Sequence, residues 1–211
     1  DADGDGRRYF NSVYRMTPDG RLAGRYDKQL LVPFAEFFPL GGIDFLKRRF
    51  GRVREFTPGP ANAALPSKAG PVGILTCNEA MLPELASERV EAGATWLVSP
   101  SNDTWVPNRD FAELQFDIVS LRAIEQRRFL VRASTSGPSA IIDPFGRVLS
   151  RTEPFERGVA EGLIKPIDTR SIYSRVGDTF AGSCLLATLA ALVAGRSTSP
   201  QRDDTDREVE D

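Results

Sequence analysis

The stretch PVGILTCNE, residues 71–79, places a cysteine just after a short apolar run. The run VGIL at 72–75 predicts a buried strand. Asn78 and Glu79 then open a helix-like segment that extends to residue 92. Cys77 is therefore predicted at a strand-to-helix turn, where α/β proteins expose reactive side chains. The positive end of the helix dipole at such a turn favours a thiolate.

Cys77 also has a purely structural interpretation. Free cysteine is among the most buried residue types and often completes a core strand as a small hydrophobic side chain. The neighbouring residues do not decide between the two interpretations, so both stay open. A nucleophilic role would require an activating neighbour, because an ordinary thiol is mostly protonated at neutral pH.

The composition limits the chemistry available to the chain. Its 211 residues suit one sizeable domain, and 27 Lys and Arg against 29 Asp and Glu give a net charge of −2. Nucleic acid is not an expected partner, because it would require a basic excess. The sequence contains no histidine, which excludes Ser-His-Asp and Cys-His pairs and His-containing zinc sites. A nucleophilic Cys77 would have to pass its proton to a carboxylate or a lysine.

No cofactor or metal is expected from the sequence motifs. The chain has neither a C-x-x-C pair nor a Walker-type glycine loop. Its two cysteines lie in different settings, Cys77 in a mixed turn and Cys184 inside an apolar run. A disulfide between them is not expected.

Upstream of the cysteine, the sequence predicts a β-hairpin followed by an apolar loop. Residues 11–16 and 21–27 are the predicted strands, joined by the turn Thr-Pro-Asp-Gly at 17–20. The loop QLLVPFAEFFPLGG, residues 29–42, holds Glu36 among phenylalanines, for which core packing is the favoured interpretation. A lone buried carboxylate is costly unless it is paired or functional, so Glu36 is a candidate site residue.

Downstream, a second strand is predicted at 94–99. A helix joins it to the first strand, so the two strands should be parallel and end at the same edge of a sheet. The loop SPSNDTWVPN, residues 99–108, reaches that edge, and its Trp105 could line a pocket or cap the core. Asp110 is predicted to cap the next helix. Other expectations are a helix at 43–50, strands at 129–133, 139–142, 147–150 and 159–164, and a solvated face formed by Arg122, Glu125, Arg127 and Arg128.

The segment 179–195 is an uncharged stretch of seventeen residues. This is the lower limit for a bilayer-spanning helix, so length alone leaves a membrane span and a buried core helix open. Small residues recur at every fourth position, as in membrane helices that pack closely on other helices: Ser183, Ala187, Ala191 and Gly195. We therefore predict a transmembrane helix at 178–195, followed by a disordered charged tail at 196–211.

Several blocks together resemble the carbon-nitrogen hydrolase (nitrilase) superfamily, and within it the bacterial apolipoprotein N-acyltransferases. In family order these blocks are Tyr26-Asp27-Lys28 with LVPFAE at 31–36, TCNE at 76–79, SNDTW at 101–105, the segments 122–132 and 137–147, and YSRVGD at 173–178. The resemblance implies an α/β fold, the nitrilase αββα sandwich, incomplete at its N-terminus. Residues 1–176 would be the C-terminal portion of that domain.

The resemblance also implies an activity and a set of site residues. The family moves an acyl chain from a phospholipid to the N-terminal amine of a lipidated cysteine on a prolipoprotein, through a thioester on the enzyme. Cys77 would be the nucleophile and Lys28 the ammonium that stabilises the thiolate and the oxyanion. Glu36 and Glu79 would be further active-site carboxylates, and Trp105 is a candidate for contact with the substrate. The implied location is the bacterial inner membrane, with the catalytic domain on its periplasmic face.

The general-base glutamate of the family lies on a segment before the Y-x-K block. Here that segment offers only Asp1, Asp3 and Asp5, in no matching context. The resemblance thus implies the C-terminal part of a larger protein, or a split-gene product whose missing segment or partner chain supplies the base. Two alternatives stay open: a soluble nitrilase-type amidase that uses the same residues on a small amide, and a degenerate, non-catalytic membrane-bound homologue.

Overall fold

The structure, a computed structural model, describes most of the chain. The predicted tail at 196–211 falls largely outside the described part, and so does the predicted helix at 43–50 apart from Phe45. By its internal contacts the chain divides into two compact units, one ending at Ser174 and one beginning at Arg175. The described residues are 8–39, 45, 55–61, 64–105 and 107–197.

A five-stranded sheet forms the centre of the first unit. In spatial order its strands are β3 (Val72–Ile74), β4 (Trp96–Ser101), β5 (Leu130–Ser134), β6 (Ala140–Ile142) and β7 (Val148–Arg151). Strands β3, β4 and β5 are parallel, whereas β6 and β7 each run antiparallel to their predecessor. The predicted parallel pair is therefore confirmed, with Val72 opposite Trp96. The apolar run is also confirmed as buried, since all of β3 and the following Leu75 are buried.

Two helices pack against this sheet, α1 (Pro83–Glu91) and α2 (Arg109–Gln126). The predicted continuous helix at 79–92 is wrong, because the chain forms a 3₁₀ helix, Cys77–Met81, and then starts again at α1. Pro83 explains the break: proline has no N–H to donate inside a helix but fits its first position well. The core between the helices and the sheet consists of Leu75, Ala80, Ala86, Val90, Ala94, Leu97, Phe116, Val119, Ala123, Leu130, Ala140 and Ile142.

The start of α2 differs from the prediction by two residues. Its N-cap is Asn108, whose Oδ1 accepts a hydrogen bond from the backbone N–H of Phe111 at 2.9 Å, and Asp110 lies inside the first turn. Both Asn and Asp are good N-cap residues, so sequence alone could not separate them. An acidic Asp110 in the first turn still interacts favourably with the helix dipole.

The expected solvated face formed by Arg122, Glu125, Arg127 and Arg128 is wrong for two of its arginines. Arg128 is 2 % exposed, and it donates from Nε to Ala94 O at 2.9 Å and from Nη1 to Thr169 O at 2.7 Å. Arg122 is also buried, with Nη1 3.2 Å from Met81 O. Buried charge is tolerated where it is hydrogen-bonded. Here backbone carbonyls provide bonds to both arginines, and the Glu125 carboxylate also accepts from Arg122.

The predicted hairpin is confirmed, with β1 (Ser12–Met16) antiparallel to β2 (Leu22–Asp27). The predicted strand at 159–164 is wrong. In that segment the backbone N–H of Glu161 donates to the side-chain Oγ of Ser150 at 3.2 Å and not to a strand carbonyl. The segment follows the sheet without joining its ladder.

The second unit contains α4 (Thr179–Ser197), which follows the short α3 (Tyr173–Val176) at the junction of the units. From 179 to 195 every side chain of α4 is exposed. The expected transmembrane helix at 178–195 is not supported. Across the described residues, none of the helices combines the length and the apolar character needed to cross a membrane.

The packing of α1 on β3 gives a test of the fold. A Cβ added at Gly73 would lie 2.7 Å from Arg89 Cβ and 2.8 Å from Leu97 Cδ2. Gly73→Ala should lower the free energy of unfolding by about 1–3 kcal/mol, measured by urea denaturation, because overpacking forces the neighbours to shift.

Gly24→Ala is the matched control for this test. The nearest atom to its added Cβ would be Leu65 Cδ2 at 3.5 Å, an ordinary contact. We expect a change of no more than about 0.5 kcal/mol. Equal denaturation midpoints for the Gly73 variant and the unmodified protein would contradict the close approach of α1 to β3.

Candidate active site

A cavity of about 620 Å³ opens where strands β3, β4 and β5 end. Cys77 lines it from the turn after β3, and Lys28 and Glu36 line it from the loop after β2. Trp105 contributes from the loop after β4. The fold therefore brings together four of the five predicted site residues, from three separate parts of the chain.

Cys77 occupies a strained position at the start of the 3₁₀ helix. Its φ is 54°, in the left-handed region that costs a non-glycine residue of order 1–3 kcal/mol. Such strain persists only where surrounding interactions fix the backbone. Cys77 is a free thiol, and the turn presents it to the cavity.

Glu79 fixes that turn. Its side chain is fully buried, and Oε2 accepts the backbone N–H of Thr76 at 2.7 Å. Its Oε1 accepts the N–H of Gln29 at 2.7 Å and that of Leu30 at 3.2 Å. Glu79 is not among the residues that line the cavity. The predicted active-site role of Glu79 stays a prediction, and its geometry suits positioning better than proton transfer.

Tyr26 completes the set of donors to Glu79. Its hydroxyl lies 2.8 Å from each carboxylate oxygen, and the residue is 1 % exposed. Burial, and then the charge of Glu79, raise the pKa of Tyr26, so the hydroxyl stays protonated and can donate. Arg89 donates to that hydroxyl from Nη2 at 2.8 Å. Sequence analysis gave neither Tyr26 nor Arg89 a role.

Lys28 and Glu36, which line the same cavity as Cys77, form a largely buried ion pair. The distance from Nζ to Oε2 is 2.6 Å, with the side chains 1 % and 13 % exposed. Asn11 Nδ2 donates to Glu36 Oε1 at 2.8 Å, and the N–H of Val32 donates to Oε2 at 2.7 Å. These two bonds fix the Glu36 carboxylate in the position where it accepts a hydrogen bond from Lys28. An ammonium has three N–H groups, so Lys28 can bond to Glu36 and still donate into the cavity.

Asp103 organises the part of the cavity wall that Ser101 and Ser134 form. Its Oδ2 accepts Arg132 Nη2 at 2.9 Å and Ser134 Oγ at 2.5 Å, and Oδ1 accepts the hydroxyl of Ser101. Arg132 also donates to Gln115 Oε1 at 2.7 Å. Burial lowers the pKa of Arg132, and the charge of Asp103 opposes that shift. This pair ties the ends of β4 and β5 together, where Ser101 and Ser134 face the cavity.

Trp105 lies at the mouth of the cavity. Its side chain is 63 % exposed and contacts Phe111 edge to face, with ring centroids 6.1 Å apart. Of the two sequence interpretations, the pocket-lining one matches the structure and the core cap does not.

One signal could have pointed to Arg89 in advance. The buried positions of α1 are Ala86, Arg89 and Val90, spaced three and four apart on one face. An arginine in that pattern lies toward the core and needs buried partners. The one signal for Tyr26 was its place in the Y-x-K block, because a buried tyrosine is otherwise ordinary in a strand.

Solved structures share this fold. The carbon-nitrogen hydrolase of Helicobacter pylori superposes with a TM-score of 0.55 at 20% identity, covering 71% of this chain and 55% of that one. The Caenorhabditis elegans NitFhit protein gives a TM-score of 0.56 at 20% identity, covering 74% and 38%. These similarities confirm the expected nitrilase-type α/β fold.

Comparison with known sequences identifies the family to which the chain belongs. The carbon-nitrogen hydrolase profile matches residues 2–173. The apolipoprotein N-acyltransferase of Geobacter metallireducens is 35% identical over 94% of this chain, and that of Pseudomonas putida is 33% identical over 90%. The chain spans only 39% and 38% of those two relatives. As its sequence motifs predict, the chain belongs to the carbon-nitrogen hydrolase family, and the curated relatives that match it are named apolipoprotein N-acyltransferases.

Proposed function

We propose that this chain carries the thiol site of an apolipoprotein N-acyltransferase. The observation that carries the proposal is that Cys77, Lys28 and Glu36 line one cavity, and that Lys28 and Glu36 form an ion pair there. The curated relatives of the chain are named apolipoprotein N-acyltransferases. The proposed reaction moves an acyl chain from a phospholipid to the N-terminal amine of a lipidated cysteine on a prolipoprotein. The amidase alternative has less support, because the amidases among the solved structures are similar at the level of fold alone.

In the first step, the thiol of Cys77 loses its proton to a carboxylate or lysine base, since the chain has no histidine. The thiolate sulfur attacks the ester carbonyl carbon of the phospholipid, and a C–S bond forms while the carbonyl electrons move to oxygen. The ammonium of Lys28 stabilises this oxyanion. Collapse breaks the ester C–O bond, the lysophospholipid oxygen takes up a proton, and the acyl group remains on Cys77 as a thioester.

In the second step, the amine of the acceptor attacks the thioester carbonyl carbon. A C–N bond forms, the C–S bond breaks, and the amine gives up one proton, so the products are an amide and the regenerated cysteine. Lys28 again faces the developing oxyanion. We assign Glu36 the task of keeping the ammonium in place, because its two oxygens already accept bonds from Asn11, Lys28 and Val32.

The proposed donor and acceptor also imply a location. Both are lipids or lipid-modified proteins, so the cavity must meet a membrane surface, and we propose the outer face of the bacterial inner membrane. Two exposed aromatic residues near the cavity support this, Trp105 at 63 % and Phe34 at 60 % exposed. Aromatic side chains are favoured where one end of a group is apolar and the other is wet.

The first prediction concerns the nucleophile. In protein reconstituted with phospholipid, Cys77→Ala should abolish the acyl adduct seen by intact-mass spectrometry, because residue 77 would no longer carry the sulfur that holds the thioester. Cys184→Ala is the matched control and should retain the adduct, since Cys184 lies in α4. An adduct that survives in the Cys77 variant would rule out this nucleophile.

The second prediction concerns the cation. Lys28→Met should lower the rate of acyl-enzyme formation by about 100-fold or more, the usual cost of removing one oxyanion-stabilising group. The rate is measured from the growth of the acyl adduct with time. Lys165→Met is the control, because Lys165 is exposed and does not line the cavity, and its rate should match that of the unmodified protein. Equal rates for the two variants would contradict the role of Lys28.

A further inference from the structure

Arg89 is a buried cation that the proposed chemistry does not use. Its side chain is 2 % exposed and lies on the core side of α1. No substrate-facing role fits it, because it is not among the residues that line the cavity. Burying a guanidinium is costly unless its donors are engaged, so its partners indicate its role.

Three hydrogen bonds of Arg89 reach the segments that carry the reacting groups. Its Nε donates to Ile74 O at 3.0 Å, at the end of the strand that leads to Cys77. Its Nη2 donates to the hydroxyl of Tyr26 at 2.8 Å and to the side-chain oxygen of Gln29, the residue after Lys28. One side chain therefore links the strand before the thiol to the loop that carries the ammonium.

Tyr26 and Gln29 connect Arg89 to Glu79 as well. The hydroxyl of Tyr26 donates to both Glu79 oxygens at 2.8 Å, and the N–H of Gln29 donates to Oε1 at 2.7 Å. Arg89 also lies over the Tyr26 ring, 5.1 Å from its centroid. The carboxylate and the guanidinium thus both bind Tyr26 and Gln29.

Charge explains why an arginine suits this place. Glu79 is fully buried, and the donors described above for it are a hydroxyl and backbone N–H groups, which are neutral. Arg89 supplies a positive charge one hydroxyl away. The nearby Lys28 pairs with Glu36, and the carboxylate of Glu88, 3.6 Å from Arg89 Nη1, is 54 % exposed and so screened by water.

We infer that Arg89 is a positioning residue for acyl transfer, an inference that rests on the proposed function. Through Tyr26 and Gln29 it fixes the Lys28 loop relative to the Cys77 turn. It touches no reacting atom. Its loss should therefore slow the chemical step without weakening the binding of phospholipid.

The test compares Arg89→Met with Arg128→Met, both in a Cys184→Ala background so that one thiol remains. Arg128 is the matched control, because it is equally buried but bonds to backbone carbonyls away from the cavity. Acyl-enzyme formation is measured against phospholipid concentration and divided by the concentration of folded protein, taken from its circular dichroism. This normalisation removes losses that come from unfolding alone.

For Arg89→Met we expect the maximal rate per site to fall about 10- to 100-fold, because small misplacements of reacting groups cause losses of this size. The lipid concentration that gives half of the maximal rate should not change. Arg128→Met should lower the melting temperature but leave the rate per site within about twofold, since it only weakens packing. Arg89→Lys, which keeps the charge, should recover part of the loss. Unchanged rates per site in Arg89→Met, or a change confined to half-saturation, would overturn the inference.

Two further measurements keep the inference testable. If Arg89→Met yields no folded protein, Tyr26→Phe replaces it, because it removes the bridging hydroxyl and keeps the ring; the same loss is expected, and an unchanged rate overturns the inference. If the unmodified protein forms no acyl adduct, the proposed function fails. The rate constant for iodoacetamide labelling of Cys77 then tests Arg89 alone: a drop of about tenfold supports it, and no drop overturns it.

Discussion

The buried carboxylate of Glu79 is the interaction on which the arrangement of the site depends. It accepts hydrogen bonds from two stretches of chain that are about fifty residues apart in sequence, the turn at Thr76 and the loop at Gln29 and Leu30. A lone carboxylate in this position would be strongly destabilising, but several donors together make it a rigid anchor. The left-handed backbone of Cys77 lies within this anchored turn.

Two ion pairs apply the same principle at and next to the cavity lining. Lys28 is held by Glu36 on one side, and Arg132 holds Asp103 on the other. Removing one partner of a buried ion pair costs far more free energy of folding than the intact pair contributes. Substitution of either partner should therefore be strongly destabilising. The parallel strands form a rigid sheet edge, and the two ion pairs hold polar groups in place at that edge. A site of this kind can stabilise a thiolate and an oxyanion without imidazole.

The sequence predicted the main elements because their signals are local. The run before Cys77 was short, apolar and followed by helix formers, which is sufficient to place a strand and a turn. The break at Pro83 was missed because proline also suits the first turn of a helix. Local patterns do not report distant partners, so the burial of Arg89 and Arg128 was not predicted. Arginine is usually exposed. The carbonyl and hydroxyl acceptors that allow these two to be buried come from the tertiary fold.

In the candidate site, too, some residues could be predicted from local sequence and others could not. Cys77 and Glu36 were suspected from their surroundings, whereas Lys28 and Glu79 entered only through the resemblance to a family. The direct contacts of Glu79 with Tyr26 and with backbone N–H groups depend on a chain reversal that no short window of sequence contains. Its position outside the cavity lining therefore became apparent only from the structure.

The most direct test of the account is to locate the acyl group on the protein. The unmodified protein would be incubated with a phospholipid whose acyl chain carries an alkyne, then labelled, digested and mapped by mass spectrometry. The account predicts the label on the peptide that contains Cys77, with release by neutral hydroxylamine, as for a thioester. Label on Cys184, or a label that resists hydroxylamine, would contradict it.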